Sequence, residues 1–275
     1  MFLEPLETRR LFAGTITFDT TGDEIVIRGD SKNNNLIVES AYDEGGEATG
    51  GYVITSTERD ASTLVVDGVI QPSNRISIRY VFGTPDSPFL AKSWRVEMGD
   101  GDDSYQFTSQ AAILTMAVDL GGGDDYYYQY GRVSQSLSFS AGAGDDAVGI
   151  SYLDEGALRN ATFDLGLGRD RLTMMSRPGS STRVPVPGRL QILDTSGPSK
   201  VLLRNVDVSR QTQIITGNSI DRVTLDNCSF KGPVAVATHG GRDVLTGTFN
   251  RFRAGGFVSP GPGRDTVDGL EELLG

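Results

Sequence analysis

Apolar residues recur at every second position in short runs along this chain, and glycine, aspartate and serine separate the runs. That period marks strands with one buried face. It is visible in TITF, EIVIR, NLIVE, YVITS, TLVVDG and RISIRYVF before residue 98, and in AILTMAVDL, SLSFSA, LRNATFDL and RLQILD after it. Only the terminal GLEELLG has a helical look.

A longer repeat is laid over this alternation. Six times a glycine-flanked turn ends in aspartate and runs into a strand: GDGDDSYQF, GGGDDYYYQ, GAGDDAVGI, GLGRDRLTM, GGRDVLTGT and GPGRDTVDG. The closing aspartates are Asp103, Asp125, Asp146, Asp170, Asp243 and Asp265, and two degenerate turns, SGPSK at Lys200 and GNSID at Asp221, fill the gap. The steps are 22, 21, 24, 30, 21, 22 and 22 residues, and the longest holds SRPGSSTRVPVPG (176–188), which reads as an inserted loop. Two residues beyond each turn stand Tyr105, Tyr127, Val148, Leu172, Leu202, Val223, Leu245 and Val267, an apolar column expected in the core.

A unit of about 22 residues with two or three short strands cannot bury its apolar face alone, whereas stacked copies close a continuous core. The pattern therefore predicts an all-β, right-handed parallel β-helix, with rungs about 4.8 Å apart. A β-propeller is the alternative, but its blades need about 40 residues each. Residues 1–14 read as a disordered tag, 15–98 as an irregular β cap with the first rungs, 99–269 as the repeat, and 270–275 as a C-terminal cap.

The 35 glycines suit a protein of turns and short strands, and a net charge of -11 argues against a nucleic-acid partner. No apolar run is long enough to span a membrane as a helix. The single cysteine, Cys228, lies among strand residues and reads as a buried small side chain. The single histidine, His239, precedes a turn, so neither a zinc site nor a histidine-based triad is easily built.

The first three turns carry paired carboxylates. Stacked in register, such charges repel by about 1 kcal/mol per pair at the dielectric of water, and more when buried. Calcium between turns would offset this, drawing on Asp100, Asp102, Asp103, Asp124, Asp125, Asp145 and Asp146 and on peptide carbonyls of the glycine turns. From Arg169 onward, Arg169, Arg242 and Arg264 precede the aspartate and are expected to neutralise it instead. The alternative is that glycine and aspartate serve only as turn formers.

These turns resemble the calcium-binding RTX nonapeptide repeat, G-G-x-G-x-D followed two places on by an apolar residue. Gly101, Gly123, Gly144, Gly168, Gly241 and Gly263 fall at its last glycine, and the closing aspartates at its ligand position. Met98, Leu120 and Ala141 stand where the family has its first glycine, and the spacing is 22 residues rather than nine. The resemblance implies bound Ca2+. At the amino terminus LEPLETRRLFAG, residues 3 to 14, resembles the LEPLExRRLLxA tag of planctomycete secreted or surface proteins, which implies export.

Taken together, these signals lead to the expectation of a non-enzymatic extracellular or cell-surface rod, monomeric, structural or adhesive, facing envelope polysaccharide or a surface protein. Two alternatives stand beside it. A polysaccharide lyase or hydrolase would use Asp154 and Glu155 with Arg159 nearby, and a glycan-binding module would use the outward face of Tyr126, Tyr128 and Tyr130.

Overall fold

The computed structural model describes residues 14–273, apart from 21–23, 43–47, 57–62, 74, 79–92, 110–112, 132, 153–157, 178–179 and 181. The chain winds as a parallel β-solenoid of about seven turns. One strand of each rung joins a long sheet of twelve described strands, and the next joins a facing sheet of eleven. In a representative rung, Ile113–Asp119 lies in the long sheet, the glycine turn follows, and Tyr126–Gln129 enters the facing sheet.

Registers are in phase, so equivalent residues form columns. Tyr127 pairs with Tyr105 below and Val148 above; Leu172 pairs with Val148 and Val201. The two sheets meet through aromatic contacts: Tyr127 stacks on Tyr105 at 5.7 Å between centroids and reaches Phe139 of the long sheet at 4.8 Å. One contiguous apolar core runs from Ile16 to Leu273.

Residues before 98 extend the same two sheets. Glu24–Arg28 pairs in parallel with Ser93–Glu97, and Asn35–Tyr42 with Ser104–Phe107, while antiparallel partners Thr15–Asp19 and Ala48–Ser56 lie beyond them. At this end antiparallel pairings, with one further parallel pair between Thr15–Asp19 and Thr63–Val66, continue the sheets. At the other end Leu270 and Leu273 are buried beside a short 3-10 turn, Glu271–Leu273.

Two sequence expectations need correction. Ser199, not Lys200, occupies the turn position, because Lys200 pairs with Arg171 and Arg222 at the strand start. The core residue of that rung is Val201, and Leu202 points outward, half-buried. The step from Asp170 is therefore 29 residues and the next is 22. The segment expected as an inserted loop also contains a strand: Val184–Val186 begins a third sheet continued by Val206–Val208, Ser229–Phe230 and Arg251–Phe252. Val184 and Val186 face the core, and Pro185 is tolerated because this is an edge strand.

Candidate functional site

The glycine turns need left-handed backbone. Gly121 and Gly123 have φ of 99° and 131°, and a Cβ on either would collide with the carbonyl of Gly99 or Gly101 one rung below. Such close stacking brings each turn's amides and carboxylates within reach of the next.

The seven nominated aspartates fall into three columns rather than one cluster. Asp100 lies at mid-turn, exposed, in the column of Gly122, Ala143, Leu167 and Ser196. Asp102, Asp124 and Asp145 form an exposed outer column, and Asp103, Asp125 and Asp146 a buried inner one, each 2 % exposed. Among the described residues, no three acidic, histidine or cysteine side chains converge as a ready-made metal cage.

Both columns are hydrogen-bonded from rung to rung, in opposite directions. In the inner column each amide donates upward: Asp103 to Asp125 Oδ1 at 2.7 Å, Asp125 to Asp146 Oδ1 at 2.8 Å and Asp146 to Asp170 Oδ1 at 3.0 Å. In the outer column each amide donates downward: Asp124 to Asp102 Oδ1 at 3.0 Å, Asp145 to Asp124 Oδ1 at 2.8 Å and Arg169 to Asp145 Oδ1 at 2.9 Å. Adjacent turns are thus clasped reciprocally, with two otherwise unpaired amides satisfied per junction.

Sequence reasoning missed the start of this pattern and its resumption at Ser199. Asn33 and Asn34 start it, Asn33 Oδ1 accepting from Asp102 at 3.0 Å and the Asn34 amide donating to Asp103 Oδ1 at 2.6 Å. The signal was available, since Asn34 stands two places before Leu36 as Asp103 stands two before Tyr105. The inner column is broken at Asp170, whose amide turns to the Pro198 carbonyl at 3.2 Å. It resumes where the Ser199 amide and hydroxyl donate to Asp221 Oδ1 at 2.7 and 3.1 Å, and continues through Asp243 to Asp265.

The second oxygen, Oδ2, of Asp103, Asp125, Asp146, Asp170, Asp221 and Asp243 is buried with no hydrogen-bond partner among the described residues. Burial raises four of them: Asp103 to about 7, Asp125 to about 8, Asp146 to about 6 and Asp170 to about 7. The amide bonds lower them, and neighbouring carboxylates add to the rise. Asp194, which the sequence reading passed over, joins them at about 6, through burial first. It occupies a long-sheet column whose earlier rungs hold Leu165, Ala141 and Leu120.

The arginines were expected to neutralise the later turns. They do not: among the described residues Arg169, Arg242 and Arg264 form no ion pair, and Asp170 and Asp243 are buried. Three of the turn's glycine carbonyls, those of Gly99, Gly121 and Gly142, accept the amides of Gly122, Ala143 and Leu167.

The remaining candidates are dispersed. Asp154 and Glu155 lie outside the described residues, as do residues 3–13 of the 3–14 tag. Tyr126 is 43 % exposed, with Tyr128 and Tyr130 half-buried on the same outward face. Cys228 is buried, its Sγ 3.4 Å from the carbonyl oxygens of Leu203 and Asp226, and burial pushes the thiol up to about 11. His239 is exposed and its Nδ1 lies 2.7 Å from the Thr216 carbonyl oxygen.

No family model matches the chain, and no curated protein or solved structure matches it either. No helix among the described residues is long and apolar enough to cross a membrane.

Proposed function

We propose that this protein is a rigid, non-enzymatic spacer outside the cell or on its surface, structural or adhesive in role, with weak calcium sites along its outer aspartate column. The reciprocal aspartate clasp carries the reading: carboxylates at the turns are committed to joining rungs, which stiffens the rod along its axis. The tag-like LEPLETRRLFAG supports export.

Calcium takes six to eight oxygens. Each gap in the column Asp102, Asp124, Asp145 offers two exposed carboxylates, each with one oxygen committed to an amide, so water completes the shell. Such a site belongs to the 0.1–1 mM range of roughly the weakest extracellular calcium modules. The inner column fits a proton better than calcium, since its free oxygens are buried.

Two measurements test the reading. Protease digestion of intact cells should remove the protein if it lies at the surface, and protection of the chain until lysis would overturn that placement. Melting with millimolar calcium against chelator should differ by several degrees; coincident curves would remove calcium from the proposal.

A further inference from the structure

The long sheet begins each rung at a corner, and on three successive rungs that corner carries an exposed arginine: Arg159, Arg189 and Arg210. The register of the strands that follow places Arg159, Gly188, Arg210 and Gly232 in one column, so that arginine and glycine alternate along the axis. Arg159 and Arg210 are therefore two rungs, about 10 Å, apart. Arg189 stands one column over, between Asn160 and Gln211.

Gly188 is what makes the gap. It is buried against the Arg159 backbone, a Cβ there would collide with the Arg159 carbonyl, and so no side chain fills the space between the two arginines. The result is an open cleft of about 850 Å³, floored by Gly188 and lined by Arg159, Arg189, Arg210, Asn160 and Gln211. Its volume lies within the usual range of ligand pockets. Three arginines line this cleft on a chain of net charge -11, and among the described residues none of them is in an ion pair.

We propose that this cleft binds an acidic polysaccharide, with Arg159, Arg189 and Arg210 gripping carboxylate or sulfate groups and Asn160 and Gln211 meeting sugar hydroxyls. Guanidinium forks match both oxyanions in a bidentate manner. Two rungs span about the length of a disaccharide, so charges repeating along a glycan can meet Arg159 and Arg210 together. Nucleic acid is the poorer fit, because its continuous phosphate track calls for a longer cationic surface than three residues. The choice of a glycan rests on the surface placement proposed above, whereas the binding itself does not need calcium.

The test is calorimetric titration of the full-length protein, in chelator at low salt, with oligogalacturonate, with sulfated dextran, with neutral dextran and with single-stranded DNA. Binding of either charged glycan, with neutral dextran silent, is the expected result, and the arm that binds names carboxylate or sulfate as the recognised group. Arg159→Gln, Arg189→Gln and Arg210→Gln should each weaken it about tenfold. Arg222→Gln, in an exposed basic column of the facing sheet, should leave it unchanged. Silence of both charged glycans, equal loss in the Arg222 variant, wild-type affinity in all three cleft variants, or DNA binding as tight as glycan would each overturn the assignment. Because chelator is present throughout, failure here leaves the calcium reading standing, and loss of the calcium effect leaves this one standing.

Discussion

The amide of Asp103 donates to the carboxylate of Asp125, 22 residues later and one rung along the axis, at 2.7 Å. The return bond joins the adjacent pair, Asp124 amide to Asp102 Oδ1, at 3.0 Å. Together they act as a reciprocal cap across stacked turns, so the double-aspartate turn explains itself without a ligand. Where Arg169 replaces the outer aspartate, its amide still donates downward to Asp145, but no side-chain acceptor faces the next rung. The clasp is interrupted between Asp170 and Ser199, and from Ser199 to Asp265 it is single.

Asp125→Ala should therefore destabilise the fold. It strands the buried Asp103 amide, a loss of about 1–3 kcal/mol, which lowers the melting temperature by roughly 2–10 °C for a chain of this size. Asp125→Asn keeps an acceptor, and Asn34 already shows an amide in this column donating its Nδ2 to the Lys32 carbonyl at 2.5 Å. That variant should melt at or above wild type at pH 8. Equal losses in both variants would mean the Oδ1 bond contributes nothing.

Much of this was legible in the chain. Glycine at the left-handed positions and an apolar residue two past the aspartate recur because stacking demands both, so Tyr105, Tyr127 and Val148 announce the core column. The reading slipped where one rung departs from the motif: Ser199 does aspartate's work with a hydroxyl and an amide, and aligning on the last residue of SGPSK shifted Val201 out of register. Val184–Val186 was hidden because proline and serine around it signal a loop while its partner Val206–Val208 lies a rung away. The cleft could not be seen at all without register. Arg159, Arg189 and Arg210 are 30 and 21 residues apart, and the long step makes their alignment invisible in the sequence.

Stability should fall as pH rises from about 4 to 8 in chelator. The inner aspartates have folded values of about 6 to 8 against an ordinary 3.8, so the folded chain holds protons that the unfolded chain has released. Their contribution is complete below about 4 and is lost as pH passes through 6 to 8. Urea midpoints across that range should decline, and Asp125→Asn should flatten part of the decline. A midpoint that climbs with pH would show these carboxylates to be charged and paired.

Cys228 should behave as a reporter of global opening. Its thiol is buried and held far from thiolate, so an aromatic disulfide reagent at pH 8 should label it only when the rod unfolds. Labelling in native buffer should run at the unfolding rate and accelerate on adding urea. Prompt stoichiometric labelling would place the sulfur at the surface.

Calcium and protons should act on different columns. Outer carboxylates are exposed and carry the weak sites, so Asp124→Asn, which removes charge from the middle of Asp102, Asp124 and Asp145 while keeping the acceptor for the Asp145 amide, should abolish most of the calcium-dependent rise in melting temperature. Its melting in chelator should stay close to wild type, because the clasp survives and two like-charge contacts are relieved, each about 1 kcal/mol in water. Asp125→Asn should do the reverse, altering the pH profile in chelator and leaving the calcium increment in place. Asp265→Ala, at the far end where no outer aspartate precedes it, should leave that increment unchanged. If Asp125→Asn removed the calcium response and Asp124→Asn did not, the ion would belong to the buried oxygens and the division between the two columns would be wrong.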